Sequence, residues 1–166
     1  MTAREVEGRA RAATCWALLP VKDFSRAKGR LSPRLSPQRR VALARGLFEH
    51  VTTCLMSSPG IAHVLVLTDC PEVMALAAQR NCSALRDQPG ACLNEIVDAG
   101  LVHAAKAGAA RALVCMSDLP LLQPSEVDAF CAALDQADLV LGPDHRDAGT
   151  NALGLHLPAG FGSCFG

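Results

Sequence analysis

Two stretches hold the charged side chains best placed for chemistry. "PVKDFSRAKGRL" follows an apolar run and contains Lys22, Lys28 and Arg30, and thus two of the three lysines in the chain. "VCMSDLPLL" places Asp118 at the end of another apolar run. Lysine and arginine bind phosphate oxygens, whereas a carboxylate together with substrate phosphates can hold Mg²⁺. The combination indicates metal-assisted phosphoryl or nucleotidyl transfer.

Two further stretches give weaker signals. "GPDHRDAGTNAL" places Thr150 and Asn151 in a polar turn, where hydroxyl, amide and backbone N–H groups suit a second phosphate or carboxylate substrate. "ACLNEIVDAGL" places Asn94 near the start of a predicted helix, where the helix dipole favours anions. Three of the stretches have a structural alternative. The first could be a solvated basic loop, Asp118 could cap a turn, and the stretch around Thr150 could be a plain polar loop.

Several other functional classes lack their motifs. The sequence has neither G-x-x-x-x-G-K-[ST] nor G-x-G-x-x-G, which disfavours a P-loop kinase and a classical dinucleotide fold. The five histidines form no H-E-x-x-H, and no G-x-S-x-G is present, which argues against a zinc enzyme and a hydrolase triad. The eight cysteines form no C-x-x-C pair, so we expect reduced thiols in a cytoplasmic protein.

Length and charge limit the possible partners. The 166 residues fit one domain, which we place at 15–166 after a flexible N-terminal tail at 1–14. Sixteen basic and sixteen acidic residues argue against nucleic-acid binding through bulk charge. No apolar run approaches the roughly 20 residues of a membrane span, so we expect no membrane partner.

Hydrophobic periodicity predicts alternating strands and helices. The predicted strands span 15–21, 61–68, 82–86, 111–116, 138–142 and 152–157. The predicted helices span 37–57, 71–80, 92–108 and 124–137, three of them starting at or just before a proline. This order predicts an α/β fold with a mostly parallel sheet and right-handed crossovers. Ligands of such sheets bind beyond the carboxyl ends of the strands, where both charged stretches fall.

Four segments together resemble a known family. "PVKDFSRAKGRL", "LN", "SDLPLL" and "GTNAL" occur in this order in the 2-phospho-L-lactate guanylyltransferases, which include phosphoenolpyruvate and 3-phospho-D-glycerate guanylyltransferases. The resemblance implies a Rossmann-like three-layer sandwich of the GT-A nucleotidyltransferase type with a mixed sheet. It also implies transfer of GMP from GTP to the phosphate of a small phospho-acid, with release of pyrophosphate, in coenzyme F-420 biosynthesis.

The resemblance also implies roles for individual residues. Lys22 and Lys28 would contact the phosphates of GTP and take part in catalysis, with Arg30 supporting them. Asn94 would lie near the nucleoside, and Asp118 would act in catalysis by holding Mg²⁺. The phospho-acid would be bound by Thr150 and Asn151 of "GTNAL" and by Gly166.

The sequence departs from the family at its end and in one turn. Members continue beyond a Phe-Gly pair, whereas this chain ends at Phe165-Gly166. We therefore expect a C-terminally truncated domain whose exposed sheet edges favour association, with a homodimer as one form. Asp147-Ala148 replaces a small turn pair before Gly149. Two alternatives stay open: another GT-A nucleotidyltransferase, of molybdenum-cofactor or sugar-phosphate type, and a truncated, non-catalytic nucleotide-binding module.

Overall fold

A six-stranded sheet forms the centre of the part of the chain described by the computed structural model, namely residues 15–88, 90–145, 149–160, 162–163 and 165. The predicted tail at 1–14 and Gly166 lie outside these residues. The strands are β1 (Cys15–Pro20), β2 (His63–Thr68), β3 (Ser83–Arg86), β4 (Arg111–Cys115), β5 (Leu139–Pro143) and β6 (Thr150–His156). Each predicted strand is confirmed, with its ends shifted by at most two residues.

The sheet has a parallel part and an antiparallel part. The strand order is β3-β2-β1-β4-β6-β5. Strands β3, β2, β1 and β4 pair in parallel, whereas β6 is antiparallel to both β4 and β5. The predicted mostly parallel α/β sheet is thus confirmed. Because β6 runs against β4, its first residues lie beside the last residues of β4, at the edge where the parallel strands end.

Four α-helices connect the strands within the described residues: α1 (Pro37–Ser57), α2 (Pro71–Gln79), α3 (Leu93–Lys106) and α4 (Pro124–Ala133). Local signals explain where they begin. The backbone N–H of Arg39 donates to Ser36 Oγ (3.3 Å), and the backbone N–H of Cys92 donates to the carboxylate of Glu95 (2.7 Å). Such bonds satisfy N–H groups that have no partner within the helix. Helix α4 ends four residues earlier than predicted.

The helices cover both faces of the sheet. Helices α1, α2 and α4 bury one face, where Phe48 and Val51 pack in one cluster with Leu19. Helix α3 buries the opposite face, where Val97 and Leu101 pack in a second cluster. The result is the expected three-layer sandwich. Strands β1, β2 and β4, which precede charged loops, are therefore almost entirely buried.

Two further predictions concern the whole chain. The seven cysteines within the described residues are free thiols, as expected from their spacing. None of the helices in the described part of the chain combines the length and the apolar character needed to cross a bilayer.

Candidate active site

An open cleft of about 790 Å³ lies at the carboxyl edge of the parallel strands. The loops after β1, β2, β3 and β4 form its floor and walls. Its wall contains three basic residues, Lys22, Arg26 and Lys28, and four acidic residues, Asp23, Asp69, Asp87 and Asp118. The volume falls in the range of small-molecule sites. The structure thus brings Lys22, Lys28 and Asp118 to one cleft, as the rule for parallel sheets predicts.

The basic loop after β1 is anchored by an aromatic side chain. Phe24, only 2% exposed, packs against Phe48 of α1 with ring centroids 6.0 Å apart. The carboxylate of Asp23 accepts a hydrogen bond from the backbone N–H of Ser25 (2.7 Å), which begins a short 3₁₀ helix. These bonds to Ser25 lower the pKa of Asp23 below its usual value. The buried ring of Phe24 thus holds the charged loop after β1 against helix α1.

Lys28 has a backbone conformation that is uncommon for its residue type. Its φ is 55° and its ψ 32°, in the left-handed region. This region costs a residue with a Cβ about 1–2 kcal/mol relative to glycine. Strained positions of this kind concentrate at functional sites. The Lys28 side chain reaches across the cleft to Asp118.

That side chain joins the two stretches singled out in the sequence. Lys28 Nζ lies 2.5 Å from Asp118 Oδ2, and the two side chains are 22% and 53% exposed. The pair connects the loop after β1 to the loop after β4, although 90 residues separate them. An ion pair this exposed adds at most about 1 kcal/mol to stability. Its partners can therefore exchange at low cost when a phosphate or a cation enters.

Three acidic residues of the cleft wall were not predicted as site residues, namely Asp23, Asp69 and Asp87. Asp69 directly follows β2 and Asp87 directly follows β3. Asp118 lies in the corresponding loop after β4. Burial, and secondly the negative charge of Asp69, raise the pKa of Asp87 to about 6. The backbone N–H of Asp87 donates to Thr68 O (3.2 Å), which fixes it beside the end of β2. Its place after a predicted strand was the signal that could have identified it.

Thr150 and Asn151, predicted to lie in a turn, are the first two residues of β6 and lie at the same edge without lining the cleft. Asn151 O accepts from the backbone N–H of Met116 (2.9 Å), so the start of β6 lies beside the loop that carries Asp118. The Asn151 amide approaches Pro143 O at 3.5 Å. The backbone N–H of Asp144 donates to Gly149 O (2.8 Å) and closes the base of the β5–β6 hairpin. Thr150 and Asn151 are thus near Asp118 along the edge.

Besides Thr150 and Asn151, two further predicted residues within the described part of the chain do not line the cleft, namely Arg30 and Asn94. Arg30 is exposed in the second short 3₁₀ helix, Gly29–Leu31. Asn94 lies in the first turn of α3, where its Oδ1 accepts from the backbone N–H of Phe165 (2.6 Å). Gly166 lies outside the described residues. The roles expected for these three residues stay predictions.

The cleft offers single carboxylates for a divalent cation. Among the described residues, no group of three or more His, Cys, Asp or Glu side chains could hold a metal ion alone. Asp118 fits the requirement of Mg²⁺ for a hard oxygen ligand, because Mg²⁺ in nucleotide sites uses one or two carboxylates plus phosphates and water. A cation here would arrive with the phosphates of a substrate.

Comparison with known proteins identifies the family. Residues 15–165 match the family described as "Guanylyl transferase CofC like". The chain belongs to this family. It is 39% identical over 153 residues to phosphoenolpyruvate guanylyltransferase of Sphaerobacter thermophilus, covering 92% of this chain and 73% of that protein. It is 38% identical to the protein of the same name from Conexibacter woesei, covering 91% and 69% of the two chains.

Solved structures support the fold of this guanylyl transferase family member. A nucleotide-diphospho-sugar transferase from Desulfovibrio desulfuricans superposes with a TM-score of 0.74 at 20% identity, covering 86% of this chain and 63% of that one. A 4-diphosphocytidyl-2C-methyl-D-erythritol synthase from Anaerococcus prevotii superposes with a TM-score of 0.60 at 9% identity, covering 90% and 72%. At these identities the likeness shows the fold alone, and it agrees with the GT-A type expected from the sequence.

Proposed function

We propose that the protein transfers GMP from GTP to the phosphate of a small phospho-acid, releasing pyrophosphate, in coenzyme F-420 biosynthesis. Phosphoenolpyruvate is the first acceptor to test, because the similar proteins from Sphaerobacter thermophilus and Conexibacter woesei carry that name. The observation that supports the proposal most is the Lys28–Asp118 pair across the cleft. Lys28, which would bind phosphate, and Asp118, which would hold Mg²⁺, are within contact distance of each other.

The chemistry needs few protein groups. A phosphate oxygen of the acceptor attacks the α-phosphorus of GTP, a new P–O bond forms, and the bond to the β-phosphate oxygen breaks. Negative charge then develops on the departing pyrophosphate. Lys22 and Lys28 would stabilise that charge, because preorganised cations are most effective where charge develops. Mg²⁺, held by Asp118 and the phosphates, would supply further charge neutralisation.

The carboxylates of Asp69 and Asp87 in the cleft wall suit the binding of guanine. Guanine has hydrogen-bond donors at N1 and at its 2-amino group, whereas the corresponding edge of adenine has an acceptor at N1. A carboxylate accepts both donors of guanine and has no donor for adenine when ionised. Asp69 and Asp87 would therefore favour guanine, and Asp87 is the more buried of the two. Lys22 and Lys28 would bind the triphosphate.

The acceptor would bind beside Asp118 at the start of β6. Thr150 and Asn151 lie there and can donate to a phosphate or carboxylate through hydroxyl, amide and backbone groups. This places the acceptor on the antiparallel side of the sheet and the nucleotide on the parallel side. The two substrates would meet at Asp118.

One assay tests the proposal directly. Purified protein is incubated with GTP and Mg²⁺ in separate reactions, each with one acid: phosphoenolpyruvate, phospholactate or 3-phosphoglycerate. Pyrophosphate release is then measured in each reaction. We expect release to require one of these acids and to fall when ATP or CTP replaces GTP. In Lys22→Ala, which would lose one phosphate-binding cation, release should fall. Absence of release with every acid would reject the proposed activity.

A further inference from the structure

The peptide units on both sides of Lys28 are held by hydrogen bonds. Lys28 O accepts from the backbone N–H of Leu31 (2.9 Å) within the second 3₁₀ helix. On the other side, Ala27 O accepts from Arg40 Nη1 (3.4 Å), so this bond comes from helix α1. Because a peptide unit is planar, the position of its carbonyl oxygen fixes the plane from which φ of the next residue is measured. The bond from Arg40 therefore restrains the positive φ of Lys28.

The side chain of Arg40 is packed, unlike that of its neighbour in the sequence. Its Nε is buried and has no hydrogen-bond partner within the described residues, whereas Arg39 is exposed. None of the ion pairs formed between described residues includes Arg40. A buried donor without a partner lowers the stability of a fold. Stability alone therefore does not account for the placement of this guanidinium against the loop after β1.

Helix α1 places Arg40 beside the cleft without making it part of the wall. Ala44 and Leu47 line the cleft, and they follow Arg40 by four and seven residues, so that all three share one side of the helix. Ala27 and Lys28 also line the cleft, whereas Arg40 does not. Arg40 thus contacts the basic loop from outside the cleft and can act on a ligand only through that loop.

We propose that Arg40 is a positioning residue that holds Lys28 in the conformation that binds the triphosphate of the nucleotide. This inference rests on the proposed function, in which Lys28 binds phosphate. The left-handed region is unfavourable for a residue with a Cβ, so such a residue leaves it when no contact holds it there. Loss of the bond from Arg40 releases the peptide unit before Lys28, and the ammonium group is then no longer fixed opposite Asp118.

The test compares two neighbouring arginines of helix α1. Arg40→Met removes the guanidinium and keeps an unbranched apolar side chain, which preserves the packing of the arginine stem. We expect it to raise the Kd for GTP about three- to tenfold in isothermal titration, the effect of one hydrogen bond. Arg39→Met removes the same charge at an exposed position and is the matched control, with an unchanged Kd. An unchanged Kd in Arg40→Met, or an equal rise in both variants, would overturn the inference.

A double-mutant cycle separates positioning from direct contact with the nucleotide. If Arg40 acts through Lys28, Arg40→Met should raise the Kd no further in the Lys28→Ala background, which already lacks the ammonium group. An equal rise in the wild-type and Lys28→Ala backgrounds would show that Arg40 acts on GTP independently, and the positioning role would be rejected.

The same measurements distinguish this inference from the proposed activity. If GTP affinity responds as expected but no acid supports pyrophosphate release, the proposed activity fails and the inference stands. If the wild-type protein releases pyrophosphate but Arg40→Met binds GTP equally well, the inference fails and the activity stands. Absence of GTP binding by the wild-type protein would reject both.

Discussion

Removal of the Lys28 side chain should weaken GTP binding strongly and stability only slightly. The ion pair with Asp118 is partly exposed, so its loss costs at most about 1 kcal/mol of unfolding free energy. A lysine bound to a triphosphate contributes a charged hydrogen bond worth about 1.5–3 kcal/mol. We therefore expect Lys28→Ala to raise the Kd for GTP about 10- to 150-fold.

The left-handed backbone of Lys28 provides a matched control. Glycine adopts φ 55° without the penalty of about 1–2 kcal/mol that other residues carry. Lys28→Gly should therefore be more stable than Lys28→Ala by about 1 kcal/mol, a difference of roughly 2–4 °C in Tm for a domain of this size. Both variants lack the ammonium group, so both should lose GTP affinity to the same extent.

Isothermal titration with GTP and thermal unfolding measure the two effects independently. The reasoning is refuted if Lys28→Gly binds GTP as tightly as the wild-type protein, since the charge would then be irrelevant. It is equally refuted if Lys28→Ala lowers stability by several kcal/mol and leaves GTP affinity intact, because the loop would then have a structural role only.

Four further variants test the remaining parts of the site and its scaffold. In Asp118→Asn, pyrophosphate release should fall about 100-fold and need more Mg²⁺, as measured by Mg²⁺ titration; an unchanged Mg²⁺ dependence would contradict the assignment. The carboxyl group of Asp87 has a pKa of about 6 and is protonated below that pH, so the affinity for GTP should fall as the pH drops through 6. The difference in pH dependence between the wild-type protein and Asp87→Asn measures this contribution. Gly100→Ala places a Cβ 2.7 Å from Leu67 Cδ1 and should cost about 1–3 kcal/mol of stability in thermal unfolding, whereas Gly46→Ala, with open space around it, should gain about 0.5–1 kcal/mol.

The sequence predicted the elements and the meeting of the two charged stretches. Apolar runs with period two or 3.6 mark strands and helices because each must bury one face. The topological rule then places Lys28 and Asp118 at one edge, and the structure joins them. The same rule applied to every predicted strand would also have identified Asp69 and Asp87. They were overlooked because neither lies in a segment that is basic or unusual in composition.

The contacts of Asn94 could not be predicted from the sequence. Its position at a helix start suggested an anion or a nucleoside as its partner, whereas its side-chain oxygen accepts a bond from a backbone group 71 residues later. A backbone N–H donor leaves no mark in the amino-acid pattern, because every residue except proline has one. Only the return of the chain along α3 brings the two together. Local patterns therefore locate a polar side chain without identifying its partner.

The antiparallel insertion of β6 has a consequence for how such an enzyme can change its substrate. The β5–β6 hairpin joins the rest of the sheet only along β4, and its base is closed by its own hydrogen bond between Asp144 and Gly149. Strand β4 therefore separates the hairpin from β1, β2 and β3, the strands whose following loops form most of the cleft wall. With the acceptor site proposed at Thr150 and Asn151, grafting this hairpin between homologues should exchange acceptor preference as a single module and leave the donor nucleotide the same.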